Sequence, residues 1–224
     1  MKPDLFIYPY KWDERRPYQD GMLLFVPEYY QEHVAFGRLR LEQVFENQNP
    51  VYVEFCSGNG EWIIERALEN PNVNWIAVEK QFRRAKQIFS KAKKAGLKNL
   101  FIVTGEALTF TRYYLNDSAI TKTFVNFPDP WPKDRHAKHR LIQAPFAKEL
   151  SRILIPNEKS LFVTDHPIYA QQMIAVMQED EAFTPSHPKP YFITDRENYG
   201  SSYFKNLWNR LGRTIHYIEY VNGS

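Results

Sequence analysis

The chain has 224 residues, of which 43% are hydrophobic and 25% are charged, and its net charge is +3. This composition is typical of a globular protein with room for one large domain or two small ones. No apolar run approaches the length of a membrane-spanning helix, and the first ten residues lack the pattern of a secretory signal. The single cysteine, Cys56, excludes an internal disulfide and suits a reducing cytoplasm.

Hydrophobic periodicity divides most of the chain into alternating strands and helices. An apolar run at residues 50 to 55 is followed by helical spacing at residues 62 to 68, by a strand at residues 73 to 78 and by a helix at residues 81 to 95. The predicted strands are residues 50 to 55, 73 to 78, 100 to 104, 123 to 127, 160 to 164 and 215 to 221. This alternation predicts an α/β fold, a doubly wound and mostly parallel Rossmann-like sheet with helices on both faces.

The two ends of the chain differ from this core. Residues 1 to 49 are rich in aromatic side chains, and we expect them to form an N-terminal extension packed on or near the active site. Residues 50 to 224 are expected to form the main domain. Phe204, Leu207 and Leu211 recur at roughly helical spacing before the last strand, which we place on the same sheet.

Acidic residues stand at or just after the predicted strand ends. They are Glu54, Glu79, Glu106, Asp129 and Asp165. Because ligands of doubly wound sheets bind beyond the carboxyl ends of the strands, we expect these acids to lie near one rim and to line a site there.

The turn after the first strand favours a cationic ligand over a dinucleotide. Gly58 and Gly60 let a ligand approach the backbone, but isoleucine replaces the third glycine of the dinucleotide pattern. Glu54 would repel a pyrophosphate, whereas it suits the sulfonium and ammonium of S-adenosylmethionine. Glu79 is placed to accept hydrogen bonds from ribose hydroxyls, and the adenine is expected near Glu106.

A proline-rich segment follows the fourth predicted strand. Residues 127 to 133, here called the proline loop, place Asp129 between two prolines and two positions before Trp131. Proline restricts its own φ and favours extended conformations in the residue before it, so we expect a stiff backbone. A carboxylate beside an aromatic face suits an unstacked nucleobase, although an ordinary surface loop is the alternative.

A basic segment, residues 133 to 140, overlaps the end of the proline loop. Its basic residues are Lys133, Arg135, His136, Lys138, His139 and Arg140. Four fixed positive charges next to the site favour contact with phosphates over a merely solvated loop. No cysteine cluster accompanies the two histidines, so we expect no metal site.

These motifs resemble class I S-adenosylmethionine-dependent methyltransferases, and the proline loop with the basic segment is similar to bacterial tRNA (guanine-N7-)-methyltransferases. The resemblance spans residue 20 to the C-terminus. It is carried by the Glu54 turn, Glu79, residues 105 to 107, the proline loop, Thr164-Asp165 and residues 210 to 212. It implies a cytoplasmic enzyme, a monomer or homodimer without a metal or a membrane anchor, that uses S-adenosylmethionine to methylate N7 of a guanosine in the variable region of tRNA.

The resemblance also implies roles for individual residues. The cofactor contacts are Glu54, Gly58, Gly60, Glu79, Glu106 and Asp129, and Asp129 also stands at the catalytic centre. The substrate contacts are Lys133 and Asp165. The tRNA contacts are Arg135, His136, Lys138, His139 and Arg140.

This chain departs from the family pattern at three places. Cys56 stands where the family usually has glycine, and Glu106 stands where it usually has aspartate. The C-terminal Thr-x-Phe-Glu substrate motif appears here as residues 202 to 205, with lysine in place of glutamate. We therefore transfer a substrate role only to Ser202, whose hydroxyl is kept.

Two other functions remain open. Residues 126 to 129 loosely resemble the Asn/Asp-Pro-Pro-aromatic signature of methyltransferases for exocyclic amines, although the aromatic residue here lies two positions after the acid. A non-catalytic RNA-binding protein would keep the basic segment and lose the cofactor site, but Glu54, Gly58, Gly60 and Glu79 are all present. An NAD-dependent enzyme is disfavoured further by the missing third glycine.

Overall fold

A computed structural model describes residues 7 to 194, 196 to 197 and 199 to 223, with the backbone alone of Asp134. The chain forms two compact units, Met1–Asn116 and Asp117–Ser224. Of the N-terminal extension expected at residues 1 to 49, residues 1 to 6 lie outside the described part of the chain.

The first unit contains a mixed sheet in the order β1-β2-β5-β4-β3. Its elements are β1 Tyr18–Asp20, β2 Leu23–Phe25, α1 Leu41–Phe45, β3 Val51–Phe55, α2 Glu61–Glu69, β4 Asn74–Glu79, α3 Phe82–Ala95, β5 Leu100–Thr104 and α4 Ala107–Tyr114. The β1–β2 pair is antiparallel, whereas β2–β5, β4–β5 and β3–β4 are parallel. Strands β3, β4 and β5 confirm the first three strands that the sequence predicts.

Helix α3 shows why the predicted helices form. Its apolar side chains recur at three- and four-residue spacing, so that Ala85, Ile88, Phe89 and Ala92 share one buried face. The helix is capped at its C-terminus by Gly96, whose φ of 66° is the left-handed conformation that glycine adopts without steric cost.

The N-terminal residues are part of the first unit's sheet. Strand β2 is completely buried and pairs in parallel with β5, with Leu23 opposite Ile102. Further upstream, the ring of Tyr8 stacks on Phe82 with ring centroids 4.1 Å apart. The sequence did not predict β1 and β2, because three-residue strands are too short to show a period.

The second unit contains the strand order β6-β7-β9-β8. Its elements are β6 Ile120–Asn126, α5 Ala144–Ile153, β7 Leu154–Thr164, α6 Pro167–Glu179, β8 Phe183–Pro185, α7 Tyr203–Arg210 and β9 His216–Asn222. Strands β6 and β7 are parallel, whereas β9 runs antiparallel to both β7 and β8. The predicted strand at residues 215 to 221 is confirmed as β9.

Strand β7 is longer than the sequence predicts. It begins at Leu154 rather than at residue 160, and its pairing with β6 joins Leu154 to Ile120 and Lys159 to Lys122 with an irregularity in between. Residues 155 to 159 are polar or exposed, so that they show no apolar pattern. Strand β6 also begins earlier than predicted, at Ile120.

In the part of the chain that the structure describes, no helix is both long enough and apolar enough to cross a membrane.

Candidate active site

The turn between β3 and α2 has the backbone conformation that its glycines suggest. Residues Cys56, Gly58 and Gly60 have φ values of 62°, 55° and 82°, all in the left-handed region. The turn is closed by hydrogen bonds from Ser57 Oγ to the Glu54 carbonyl at 3.0 Å and from the Gly60 amide to the Ser57 carbonyl at 2.9 Å. Cys56 therefore occupies a position that favours glycine.

The two glycines of the turn differ in what surrounds them. A Cβ on Gly60 would lie 2.8 Å from Cγ1 of Ile88, so that only glycine fits between the turn and α3. A Cβ on Gly58 would meet nothing closer than 4.0 Å. Gly60 is thus required for packing, whereas Gly58 faces open space that a ligand could fill.

Glu79 connects this turn to the end of β4. Its two carboxylate oxygens accept hydrogen bonds from the Gly58 and Gln81 amides, each at 2.8 Å. Burial raises the pKa of Glu79, and the backbone hydrogen bonds partly oppose that shift. Because each carboxylate oxygen can accept more than one hydrogen bond, Glu79 can hold the turn and still accept from a ligand hydroxyl.

The other two acids of the first unit differ in exposure. Glu54 is 1% exposed at the end of β3, a position where a carboxylate favours a cationic partner. Glu106 is exposed just before α4, and its Oε2 accepts from Thr109 Oγ1 at 2.6 Å. The structure brings Glu79 and Gly58 into direct contact, and it places Glu106 at the end of the neighbouring strand β5.

The backbone of the proline loop is held by hydrogen bonds and departs from the conformation that its prolines favour. Phe127 and Trp131, which precede prolines, were predicted to be extended, and they instead have φ values of 47° and 39°. The Phe127 amide donates to the Val163 carbonyl at 2.9 Å, and Asp129 Oδ1 accepts from the Trp131 amide at 3.2 Å. One tertiary and one local hydrogen bond therefore hold a backbone that proline alone would disfavour.

Arg140 supplies more of these hydrogen bonds. It was predicted to contact tRNA, but it is 6% exposed and its guanidinium donates to the carbonyls of Pro130 at 2.7 Å and Trp131 at 3.3 Å. A third donor, Nη1, bonds Oε1 of Gln172 on α6. The structure thus directs Arg140 towards the proline loop and away from solvent, so that it is not placed to contact phosphates.

The remaining basic residues are on the surface. Lys133, Arg135, Lys138 and His139 are exposed, and His136 is half-buried. Trp131 is 36% exposed, and the centroid of its ring lies 5.8 Å from that of the His136 ring and 5.3 Å from that of the His139 ring. Exposed cations therefore adjoin a cluster of three rings next to Asp129.

Asp165 and Ser202 both have partners within the second unit. Asp165, just after β7, forms an ion pair of 2.6 Å with Arg213, whose guanidinium lies 4.0 Å from the centre of the Trp208 ring. Ser202 Oγ accepts from the Lys205 amide at 3.1 Å and caps the N-terminus of α7. The kept hydroxyl of Ser202 therefore has a structural use that the motif did not indicate.

Tyr199 is a residue at this site that the sequence did not single out. It is 6% exposed, and its hydroxyl donates to Oδ1 of Asn126 at the end of β6. No periodicity or motif pointed to Tyr199, because its partner lies 73 positions away in the sequence.

Lys205, which stands where the family has glutamate, donates from Nζ to the Gly200 carbonyl at 3.0 Å.

The Tyr199 contact bears on the exocyclic-amine alternative. In that alternative, the acid or the amide of this motif, Asp129 or Asn126, would accept a hydrogen bond from the amine of the substrate. The amide oxygen of Asn126 already accepts from Tyr199, and Asn126 is 5% exposed.

Among the described residues, no group of three or more His, Cys, Asp and Glu side chains is arranged to hold a metal ion.

Comparison with known proteins gives consistent matches. A family model described as "Putative methyltransferase" matches residues 48–218. The tRNA (guanine-N(7)-)-methyltransferase of Chlamydia abortus is 42% identical over 221 residues, which cover 99% of this chain and 98% of that protein. The protein of the same name from Leptospira interrogans is 30% identical over 198 residues, or 88% of this chain and 90% of that protein.

A solved structure is similar in fold. The 16S rRNA methyltransferase KamB has a TM-score of 0.59 at 14% identity, and the match covers 82% of this chain and 93% of that one. At this level of identity the similarity concerns the fold alone, and it confirms the Rossmann-like methyltransferase fold predicted from the sequence.

Proposed function

Because the chain belongs to the family of tRNA (guanine-N(7)-)-methyltransferases, we propose that it transfers a methyl group from S-adenosylmethionine to N7 of a guanosine in tRNA. The product is 7-methylguanosine. The observation that carries this proposal is the 42% identity over 99% of the chain, which includes both the glycine turn and the proline loop. We place the reaction in the cytoplasm, on a monomer or homodimer.

The residues of the first unit fit S-adenosylmethionine. This cofactor has two cationic groups and two ribose hydroxyls, which match the buried carboxylate of Glu54 and the acceptor oxygens of Glu79. Gly58 leaves space for close approach to the backbone, and Glu106 is kept as a cofactor contact. When bound, the cofactor supplies an electrophilic methyl group on sulfur.

The residues of the second unit have the role of binding and orienting guanine. N7 carries a free lone pair and loses no proton on methylation, so that alignment matters more than a general base. Asp129 accepts hydrogen bonds from the N1 and N2 donors of guanine, and its charge offsets the positive charge that the ring gains. Asp165, oriented by Arg213, is kept as a substrate contact together with Lys133 and Ser202, and Ser202 also caps α7.

Contact with tRNA is assigned to the exposed part of the basic segment. Lys133, Arg135 and Lys138 are free to reach phosphates, and His136 and His139 supply polar contacts and ring faces. Arg140 is excluded from this set by its burial. Its role is to hold the proline loop in which Asp129 stands.

The test is transfer of labelled methyl from S-adenosylmethionine to unmodified tRNA, followed by nucleoside analysis. We expect 7-methylguanosine from the wild type and a rate lower by roughly 100-fold or more for Asp129→Asn, which keeps the shape and loses the charge. Asp180→Asn is the matched control, because Asp180 Oδ1 also accepts from the amide two residues later, at 3.1 Å.

Each other outcome would contradict the proposal in a different way. Label on an exocyclic amine would show the alternative methyltransferase. tRNA binding without any transfer would show a non-catalytic RNA-binding protein. A folded Asp129→Asn protein with the wild-type rate would remove the role given to Asp129.

A further inference from the structure

The N-terminal segment 26 to 33 lines one side of an open cavity within the first unit. The cavity has a volume of about 340 Å³ and lies between this segment and the start of α4. Its lining includes Glu28, Tyr30, His33, Lys80, Glu106 and Tyr113. A cavity of this size is in the range of small-ligand pockets.

The segment is fixed at the ends of two strands. The Val26 amide donates to the Thr104 carbonyl at 2.9 Å, and Val26 lies so close to Gly105 that a Cβ there would be 2.6 Å from Cβ of Val26. Glu28 forms an ion pair of 3.2 Å with Lys80, the residue that follows Glu79. The segment is therefore attached beside both Glu79 and Glu106.

A buried histidine fixes the far end of the segment. His33 is 5% exposed, and its Nδ1 lies 2.6 Å from the Tyr114 hydroxyl. The His33 ring stacks on Tyr113 with centroids 5.2 Å apart, and it meets Tyr30 edge-on at 5.1 Å. Two aromatic rings that line the cavity are thus held by a third that is buried, whereas Tyr29 is 76% exposed.

We propose that residues 26 to 33 form the outer wall of the pocket for the adenine of S-adenosylmethionine, with Tyr30 and Tyr113 as its stacking faces. This inference rests on the proposed function. The cavity includes Glu106, which the sequence assigns to the adenine, and Lys80, next to the residue assigned to the ribose. Fixed aromatic faces suit a flat heterocycle, because little side-chain freedom is lost on binding. The N-terminal segment is then part of the cofactor site.

Calorimetry with S-adenosylhomocysteine, in the absence of tRNA, tests the wall without any catalytic step. We expect Tyr30→Ala and Tyr113→Ala to raise the Kd about tenfold or more, since stacking of one base on an aromatic ring contributes about 1–3 kcal/mol. Glu28→Gln, which loosens the wall without removing a ring, should raise the Kd by a smaller factor. Tyr18→Ala is the control, because Tyr18 is 39% exposed on β1 and does not line the cavity.

The outcomes separate this inference from the proposed function. If the wild type binds and all cavity variants bind equally well, the wall is not part of the adenine pocket. If only tRNA affinity falls in those variants, the segment contacts RNA instead. If the wild type binds neither S-adenosylhomocysteine nor S-adenosylmethionine, the proposed function itself fails. A thermal scan of each variant identifies unfolded protein, and Tyr30→Phe, which keeps the ring, should restore binding.

Discussion

At the scale of single residues, the glycine turn separates two uses of the same amino acid. Gly58 and Gly60 both have a positive φ, so that any side chain strains the backbone at either position. Only Gly60 also lies against a neighbour, Ile88 on α3. The sequence shows both glycines as one motif, but the structure gives one to packing and leaves the other facing open space.

Alanine at these two positions should therefore have different effects. We expect Gly60→Ala to lower the free energy of unfolding by about 3 kcal/mol, from backbone strain together with the clash against Ile88. Gly58→Ala should cost about 1 kcal/mol of stability and raise the Kd for S-adenosylmethionine by about tenfold or more, because its methyl group enters the ligand's space. Urea denaturation and calorimetry measure the two effects. Equal stability losses in the two variants would contradict the assignment.

At the scale of elements, the segment between β6 and α5 combines a hydrogen-bonded inner part with an exposed basic part. Arg140 joins them, since it follows the basic residues in the chain and bonds the carbonyls of Pro130 and Trp131. The charge pattern alone grouped Arg140 with its neighbours. Burial separates it from them.

Substitutions should separate loop positioning from phosphate contact. Arg140→Ala leaves the carbonyls of Pro130 and Trp131 without their donor, and we expect kcat to fall by roughly tenfold or more while the salt dependence of tRNA binding stays the same. In the double variant Arg135→Ala with Lys138→Ala, we expect weaker tRNA binding and a log–log salt slope reduced by roughly 1 to 2.

Filter binding at several salt concentrations and steady-state kinetics measure these quantities. An Arg140→Ala protein that changes the salt slope as the double variant does would show that Arg140 reaches phosphate after all. An unchanged slope in the double variant would remove phosphate contact from Arg135 and Lys138.

At the scale of the whole molecule, an ion-pair network connects a loop of the second unit to its sheet. Glu219 on β9 is 5% exposed and accepts from Lys159 on β7 at 2.8 Å and from Arg196 at 3.1 Å. Burial alone would raise the pKa of Glu219, but the hydrogen bond from Lys159 and the charge of Arg196 outweigh it and lower the pKa to about 2. Glu219 is therefore charged in the folded protein well into the acid range.

This shift predicts how stability depends on pH. A carboxyl group with a lowered folded pKa stabilises the protein above its unfolded pKa, and that stabilisation is lost as the pH falls towards the folded value. Glu219→Gln should cost about 2 kcal/mol at pH 7, allowing for the partly exposed Lys159, and its difference from wild type should vanish between about pH 5 and pH 2. Urea denaturation across this range measures it, with the exposed Glu181→Gln as control. A difference that does not depend on pH would contradict the role of the charge.

Much of the architecture could be predicted because its signals are local. Strands β3, β4 and β5 and helix α3 follow from apolar periodicity, which a short window of sequence contains. The acids and glycines at the strand ends could be identified for the same reason. The start of β7 at Leu154 could not, because residues 155 to 159 are exposed or half-buried and show no apolar pattern.

The sequence by itself determined the α/β class, the positions of the acids at the strand ends, and the family, since periodicity, turn chemistry and motif order all reside in neighbouring residues. Only the tertiary structure decided that Arg140 is buried against the proline loop, that Tyr199 bonds Asn126, and that residues 26 to 33 line a cavity. These features depend on which distant side chains meet. Arg140 and Gln172 are 32 positions apart, and Tyr199 and Asn126 are 73 apart, so that only the folded chain brings donor and acceptor within bonding distance.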